Sequence, residues 1–298
     1  MKELQLVEYI RKTAGKPADG VIEGIGDDCA VVKYRKNEHL LVASDMLVDR
    51  THFEIKKCGY EKIGRKAVAV NISDIAAMGG DPKYITVSIG IPGHVKIPQI
   101  KQIYKGVKKI CSEYGILLIG GDTNRSKVLV IDVSIMGLVK KKQLVKRSGA
   151  KKGDLILITG PVKDGKKEHL TFKPRLEESR YLTKSYKINS MIDTSDGIAP
   201  DIARICSQSN AGCTVFAEAV PLSKGLTMKD ALYYGESFEL LFTMSVKEAR
   251  RLIRNTRAGK RRANYYVIGE ITGPKEGLKL IEKNGRIAKL KVQGYCHL

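Results

Sequence analysis

Apolar positions along this chain follow two patterns that alternate from one end to the other. Over Tyr60–Met78, Ile63, Ala67, Val70, Ile75 and Met78 mark a helix face, and Gly79-Gly80-Asp81-Pro82 stops it. Ile97–Tyr114 predicts a second long helix through Ile100, Ile103, Val107 and Ile110. Residues 3–12 alternate apolar and charged positions at helical spacing. Pro174–Ser185 carries proline in its first turn, Ile198–Ser209 is entered through the Ser195-Asp196-Gly197 turn, and Val246–Arg257 is a basic helix. Between them, β-branched or apolar runs predict strands at His39–Leu47, Tyr84–Ile91, Gly115–Ile119, Val128–Val139, Asp154–Thr159, Ser190–Ile192, Cys213–Ala217, Phe238–Met244, Tyr265–Ile271 and Leu278–Ile281. Gly24–Val32 reads as a turn entering a short strand, and the polar Gly160–Lys173 as a loop. Mixed strands and helices in both halves of a 298-residue chain predict two α+β domains, residues 1–143 and 144–298.

Composition narrows the class of protein. No apolar run approaches the ~18 residues that span a bilayer. The start, Met1 to Glu8, lacks the apolar stretch of a secretory signal, so a cytoplasmic protein with no membrane partner is expected. The six cysteines contain no C-x-x-C pair and read as small apolar residues, not as a zinc ribbon or a redox motif. The net charge of +21 raises the question of nucleic acid. The basic residues are dispersed, no aromatic stripe interleaves them, and tryptophan is absent. A generic basic surface that steers polyanionic ATP is the expectation, and nucleic acid is not the expected partner.

The chemistry is concentrated in short Gly/Asp clusters between regular elements. They are Gly26-Asp27-Asp28, Ser44-Asp45, Ser73-Asp74, Gly120-Gly121-Asp122, Asp193 to Gly197, and Gly235-Glu236. Buried aspartate is costly without a cation or donors. Asp74 is the clearest case, lying between Ile72 and Ile75 on an apolar helix. Asx turns and helix caps account for single members of the set. Magnesium accounts for all of them, because it takes oxygen ligands from a few carboxylates and substrate phosphates. Glycine lets backbone N–H groups approach those phosphates. The chain has no G-x-x-x-x-G-K-[ST], no H-R-D with D-F-G, and no H-E-x-x-H.

Taken together, GIGDDCAVV, SDMLVDRTHF, IGRKAVAVNISDIAAMGGDP, GGDTN, RSGAKKGD, MIDTSDGIAPDI, GESFELLFT and GYCHL resemble the thiamine-monophosphate kinases, relatives of aminoimidazole ribonucleotide synthetase. The resemblance implies Mg²⁺-dependent transfer of the ATP γ-phosphoryl directly to thiamine monophosphate, giving thiamine diphosphate, with several metal ions and no covalent intermediate. It implies an N-terminal α+β domain whose sheet pairs in a homodimer, and a C-terminal α/β domain that closes the cleft. Carried onto this chain, the metal would be held by Asp27, Ser44, Asp45, Asp74, Asp122, Asp193 and Asp196. ATP would meet Tyr104, Gly121, Asp122, Arg147 and Ser195. His52 would meet the substrate phosphate, and Glu236 and Tyr295 the thiamine end.

The chain departs from that pattern mainly at the acceptor end. Ser237-Phe238 stands where the family usually has Asp-Tyr, and Pro161–Phe172 is polar and basic where relatives carry a further Gly/Ala-rich helix. Ala43 replaces a common threonine, and Leu298 a usual aromatic. Two alternatives therefore stay open. One is a related small-molecule kinase or ATP-dependent synthetase with another acceptor. The other is a basic nucleic-acid-binding or regulatory protein on the same scaffold.

Overall fold

The computed structural model describes residues 3–14, 19–258 and 264–294. The first part of the chain runs α1 (Glu3–Thr13), β1 (Val21–Glu23), β2 (Ala30–Arg35), β3 (Glu38–Val48), α2 (Ile55–Cys58), α3 (Tyr60–Ala77), β4 (Asp81–Ile91), α4 (Ile97–Tyr114), β5 (Leu117–Arg125) and β6 (Val130–Lys140). The second part runs β7 (Leu155–Thr159), α5 (Gly165–Glu168), α6 (Leu176–Ser185), β8 (Ser190–Asp193), α7 (Ile198–Gln208), β9 (Gly212–Phe216), α8 (Met228–Tyr233), β10 (Leu240–Met244), α9 (Val246–Arg257), β11 (Tyr265–Thr272), β12 (Leu278–Ile281) and β13 (Ile287–Lys289). Each part builds one sheet. The first has the order β1-β2-β3-β6-β4-β5 and the second β13-β12-β9-β11-β7-β10-β8. Antiparallel pairing dominates both. The parallel exceptions are β4–β5, joined by the crossover helix α4, and β9–β12.

Helix α3 organises the molecule. Thirteen of its eighteen residues are buried, so it has no broad solvent face and packs on all sides. Ile63, Ile72 and Ile75 have no exposed surface, and burial of each contributes about 2 kcal/mol of transfer free energy. Glycine brings α3 and α4 into backbone contact: a Cβ on Gly64 would lie 2.0 Å from the Ile103 carbonyl oxygen, and one on Gly106 1.9 Å from that of Glu61. The opposite side of α3 meets the second half of the chain. Ser179 Oγ donates to the Ala76 carbonyl at 2.5 Å, and Ser73 Oγ to Asp193 Oδ2 at 2.5 Å. Polar residues on this part of α3 therefore lie on the seam between the two sheets.

The main difference from the sequence pattern is β5. Gly120-Gly121-Asp122 reads as a turn, yet the strand continues through it and stays paired with β4 to Ile91↔Arg125. Gly121 permits this: its φ is +154°, and a Cβ there would lie 1.9 Å from the Val87 carbonyl oxygen. All nine residues of β5 are exposed, including Leu117, Leu118 and Ile119, at the edge of the sheet. The stretch expected to be a plain loop, 160–173, contains α5, and the cysteines described are unbridged. Among the described residues no helix is long and apolar enough to cross a membrane.

Candidate active site

A cavity of about 760 Å³ opens at the seam. One end is acidic. The turn before β2 supplies Asp28, α3 supplies Asp74 and the end of β8 supplies Asp193, each with a carboxylate oxygen within 4.8 Å of the others. Asp45, from β3, lines the same wall. Burial drives the Asp74 carboxyl well above the usual carboxylate range, and the charges of Asp45, Asp193 and Asp28 add to the effect. Asp193 is raised in the same way by burial and by Asp28, with the Ser73 hydroxyl opposing. Asp45 is pushed up to about 6, first by burial, with its hydrogen bond to Asp74 opposing. Three carboxylates that resist ionising, Asp45, Asp74 and Asp193, make a site that lacks positive charge.

Arg147 supplies part of that charge. Its Nη2 donates to Asp28 Oδ1 at 2.5 Å and its Nη1 to the Gly26 carbonyl at 3.0 Å. Burial works against the guanidinium's charge, but Asp28 and Asp27 outweigh it and raise its pKa. Asp28 Oδ2 nevertheless stays buried with no hydrogen-bond partner. An orphaned carboxylate oxygen inside a carboxylate cluster, with oxygen as the ligand atom throughout, fits a hard divalent cation such as Mg²⁺.

The residues expected from sequence separate into three groups. Ser44, Asp45, His52, Asp74, Arg147, Asp193, Ser195, Asp196 and Glu236 all line the cavity. Ser44, however, turns its hydroxyl to Asp132 Oδ1 and Ser134 Oγ, each at 3.1 Å, away from the carboxylate cluster. Asp196 is paired with Arg204, which also grips Asp201; Asp201 in turn accepts the Asp196 and Gly197 N–H groups at 3.2 and 3.1 Å. Asp27 does not line the cavity: its carboxylate accepts the Arg147 N–H at 3.1 Å, while the neighbouring Asp28 joins Asp74 and Asp193 in the cluster. Burial, together with the charge of Asp28, pushes Asp27 up to about 7. Tyr104 packs against the first core from α4, and Gly121 and Asp122 lie on the exposed β5; none of the three lines the cavity. Tyr295 and Leu298 lie outside the described residues.

The other end of the cavity is built on two turns. In the turn after β3, the Val48 N–H donates to His52 Nδ1 at 3.0 Å, so the imidazole offers its Nε2–H as a donor. The turn before β10 holds Glu236 and Phe238 at φ of +65° and +50°, uncommon for side-chain-bearing residues. Docking holds it there. Glu236 N–H donates to the Ser195 carbonyl at 2.8 Å and Phe238 N–H to that of Thr194 at 3.1 Å. Gly235 allows the approach, since a Cβ would lie 1.8 Å from the Ser195 carbonyl oxygen. The departing residues serve this packing: Ser237 Oγ lies 2.8 Å from Thr194 Oγ1, and Phe238 stacks on Phe172 with centroids 4.1 Å apart. Glu236 also pairs with Lys66, and His169 lies against both. Sequence reasoning missed Lys66 and His169. The signal for Lys66 was its position four and eight residues before Val70 and Asp74, on one stripe of α3. No sequence signal marked His169.

Comparison with known proteins gives this geometry a context. Residues 26–139 match the family model of the AIR synthase related protein N-terminal domain, and residues 115–281 that of its C-terminal domain. The chain is 35% identical to thiamine-monophosphate kinase of Buchnera aphidicola subsp. Acyrthosiphon pisum, over 99% of this chain and 98% of that one. It is 33% identical to thiamine-monophosphate kinase of Pyrococcus abyssi, over 92% and 90%. The solved structure of AaThiL complexed with AMPPCP and TMP matches with a TM-score of 0.85 at 26% identity, covering 100% of this chain and 97% of that one. With full-length likeness at this identity and the same two-sheet fold, the chain belongs to the thiamine-monophosphate kinase family of the AIR synthase related proteins.

Proposed function

We propose that this chain transfers the γ-phosphoryl group of ATP directly to thiamine monophosphate, giving thiamine diphosphate and ADP. The observation that carries the reading is a cavity with a cation-seeking carboxylate cluster at one end and an imidazole N–H donor, His52, at the other. The relatives' names, and the binding of AMPPCP and TMP by AaThiL, support the same reaction. Asp28, Asp45, Asp74 and Asp193 would hold Mg²⁺, with Asp196 at their margin. When bound, Mg²⁺ neutralises phosphate charge and fixes its orientation. The protein's own groups do the rest. Arg147 adds fixed positive charge beside the cluster, and Ser195 presents a hydroxyl at the mouth of β8. His52 Nε2–H holds the acceptor's phosphate, and Glu236 meets its far end. Such a reaction asks mainly for alignment and charge neutralisation, which rigid strand ends and α3 provide.

The reading includes a homodimer. The long, apolar, unpaired edge β5 supports it, because an exposed edge of this kind pairs readily with another copy. Gly121 and Asp122 would then lie in that interface, so if Asp122 serves the metal, as the family resemblance implies, it does so across the dimer. The test of the function is acceptor-dependent ADP release from MgATP by the purified protein. The reading expects thiamine monophosphate to stimulate release strongly. ADP release that ignores the acceptor would remove it, and the packing of Ser237 and Phe238 would point to a different acceptor pocket.

A further inference from the structure

Lys66 is one of the largest side chains with no exposed surface among the described residues. It lies on α3, two turns before Asp74 and on the same stripe, with Val70 between them. An ammonium group has three N–H donors, and here each has a partner. One donates to the His52 carbonyl oxygen at 2.8 Å, one to His169 Nδ1 at 2.7 Å, and one to Glu236 Oε1. The three partners come from three separate segments: the turn after β3, the residue following α5, and the turn before β10. The same segments enclose the His52 and Glu236 end of the cavity, and Gly165 of α5 lines it as well.

A buried ion pair is a poor device for stability alone. Removing two charges from water cancels most of what their attraction returns, and an apolar side chain of similar volume fills such a space as well. What the pair does supply is direction. Glu236 sits at a backbone conformation it does not prefer, and its carboxylate is tied to a fully buried ammonium held by two further partners and rooted in α3. The same ammonium fixes the backbone of His52, whose ring faces the cavity. It also accounts for His169: with Nδ1 accepting from Lys66, burial and the neighbouring charge lower the imidazole's pKa to about 4, so the ring stays neutral and anchors the 163–170 segment over the pocket.

We propose that Lys66 is the positioning residue of the acceptor pocket, setting the separation between His52 and Glu236, with His169 as its third anchor. Lys66 acts through these partners and has no surface from which to touch a substrate. The inference rests on the reading of this end of the cavity as the acceptor site.

The experiment is steady-state kinetics of the full chain with MgATP and thiamine monophosphate. It compares wild type, Lys66→Met, Glu236→Gln, the double variant and His169→Ala. Lys66→Met is expected to raise the acceptor KM by about 10-fold or more and to leave the MgATP KM within about 2-fold. The double variant is expected to be no worse than Glu236→Gln alone, because the two residues act as one unit. Equal changes in both KM values, or multiplicative effects in the double variant, would overturn the proposal by making Lys66 a general stabilising residue. Should Lys66→Met fail to fold, His169→Ala decides, since its ring touches Lys66 and Glu236 from outside the helix core. An acceptor KM raised by about 3-fold or more with unchanged MgATP KM supports the proposal, and an unchanged acceptor KM overturns it. A wild type that does not turn over thiamine monophosphate removes the acceptor reading, and this inference with it, before any variant is measured.

Discussion

Replacing Asp74 by asparagine should move stability and activity in opposite directions. Asp74 lies in a cluster whose carboxylate oxygens are all within 4.8 Å of one another, with Asp45 bonded to it as well. Two unit charges at that separation repel by about 3.5 kcal/mol at an effective dielectric of about 20. Partial protonation already relieves some of this, as the raised pKa of Asp74 records. Asn at this position removes the remaining repulsion at almost constant shape. In metal-free buffer near neutral pH the variant should gain about 2 kcal/mol, or about 4 °C in melting temperature for a chain of this size. The same change deletes a ligand oxygen and its charge, so turnover should fall by about 100-fold or more and Mg²⁺ should lose most of its stabilising effect. Thermal unfolding in chelator and along a Mg²⁺ titration, beside a kinase assay, reads all three quantities. A variant less stable than wild type in chelator, or one with turnover within about 3-fold of wild type, would refute the argument, because a structural aspartate behaves that way.

The remaining predictions concern the edges of the site. Asp122→Asn should be nearly inactive although Asp122 lies off its own chain's cavity, and mixing it with Asp74→Asn should restore about a quarter of wild-type activity through mixed dimers with one intact site; no recovery after subunit exchange would count against the shared site. His52→Ala should raise the acceptor KM by about 10-fold with little change for MgATP, whereas an unchanged acceptor KM would make His52 a purely structural residue. His169, with its pKa lowered from 6.5 to about 4, costs the fold stability as pH falls through that window, because the unfolded chain takes up the proton first. In denaturant titrations His169→Gln should therefore narrow the stability lost between pH 6.5 and 4 by about 1–2 kcal/mol after allowance for solvent screening, and an identical pH profile would contradict the buried, neutral ring.

The long helices were legible because their apolar period extends over several turns, and α3 and α4 begin and end close to where the pattern places them. The mixed two-sheet architecture followed from the alternation of elements. β5 was legible only in part, since Gly-Gly-Asp has the composition of a turn and only the Val87 backbone opposite Gly121 explains why a strand continues through it. Within the site, residue types were more legible than their directions. Asp27 and Asp28 are adjacent, but one carboxylate turns to the Arg147 backbone and the other into the cluster, and a linear motif does not contain that choice. Ser44 and Asp45 follow the same rule, alternating across β3 so that the hydroxyl leaves the face the carboxylate occupies. Lys66 stands beside Arg65 in the sequence and looks like a solvated charge. Its burial depends on Glu236, 170 residues away, and on a segment whose composition resembles a loop.

The central claim is that a phosphoryl group leaves ATP and arrives on thiamine monophosphate. Phosphorus NMR of the purified protein with MgATP and thiamine monophosphate follows every phosphate at once. The account predicts that the monophosphate resonance declines in step with the γ-phosphate of ATP, while the two coupled resonances of thiamine diphosphate and those of ADP grow in equal amount. Accumulation of inorganic phosphate beside unchanged thiamine monophosphate would contradict it.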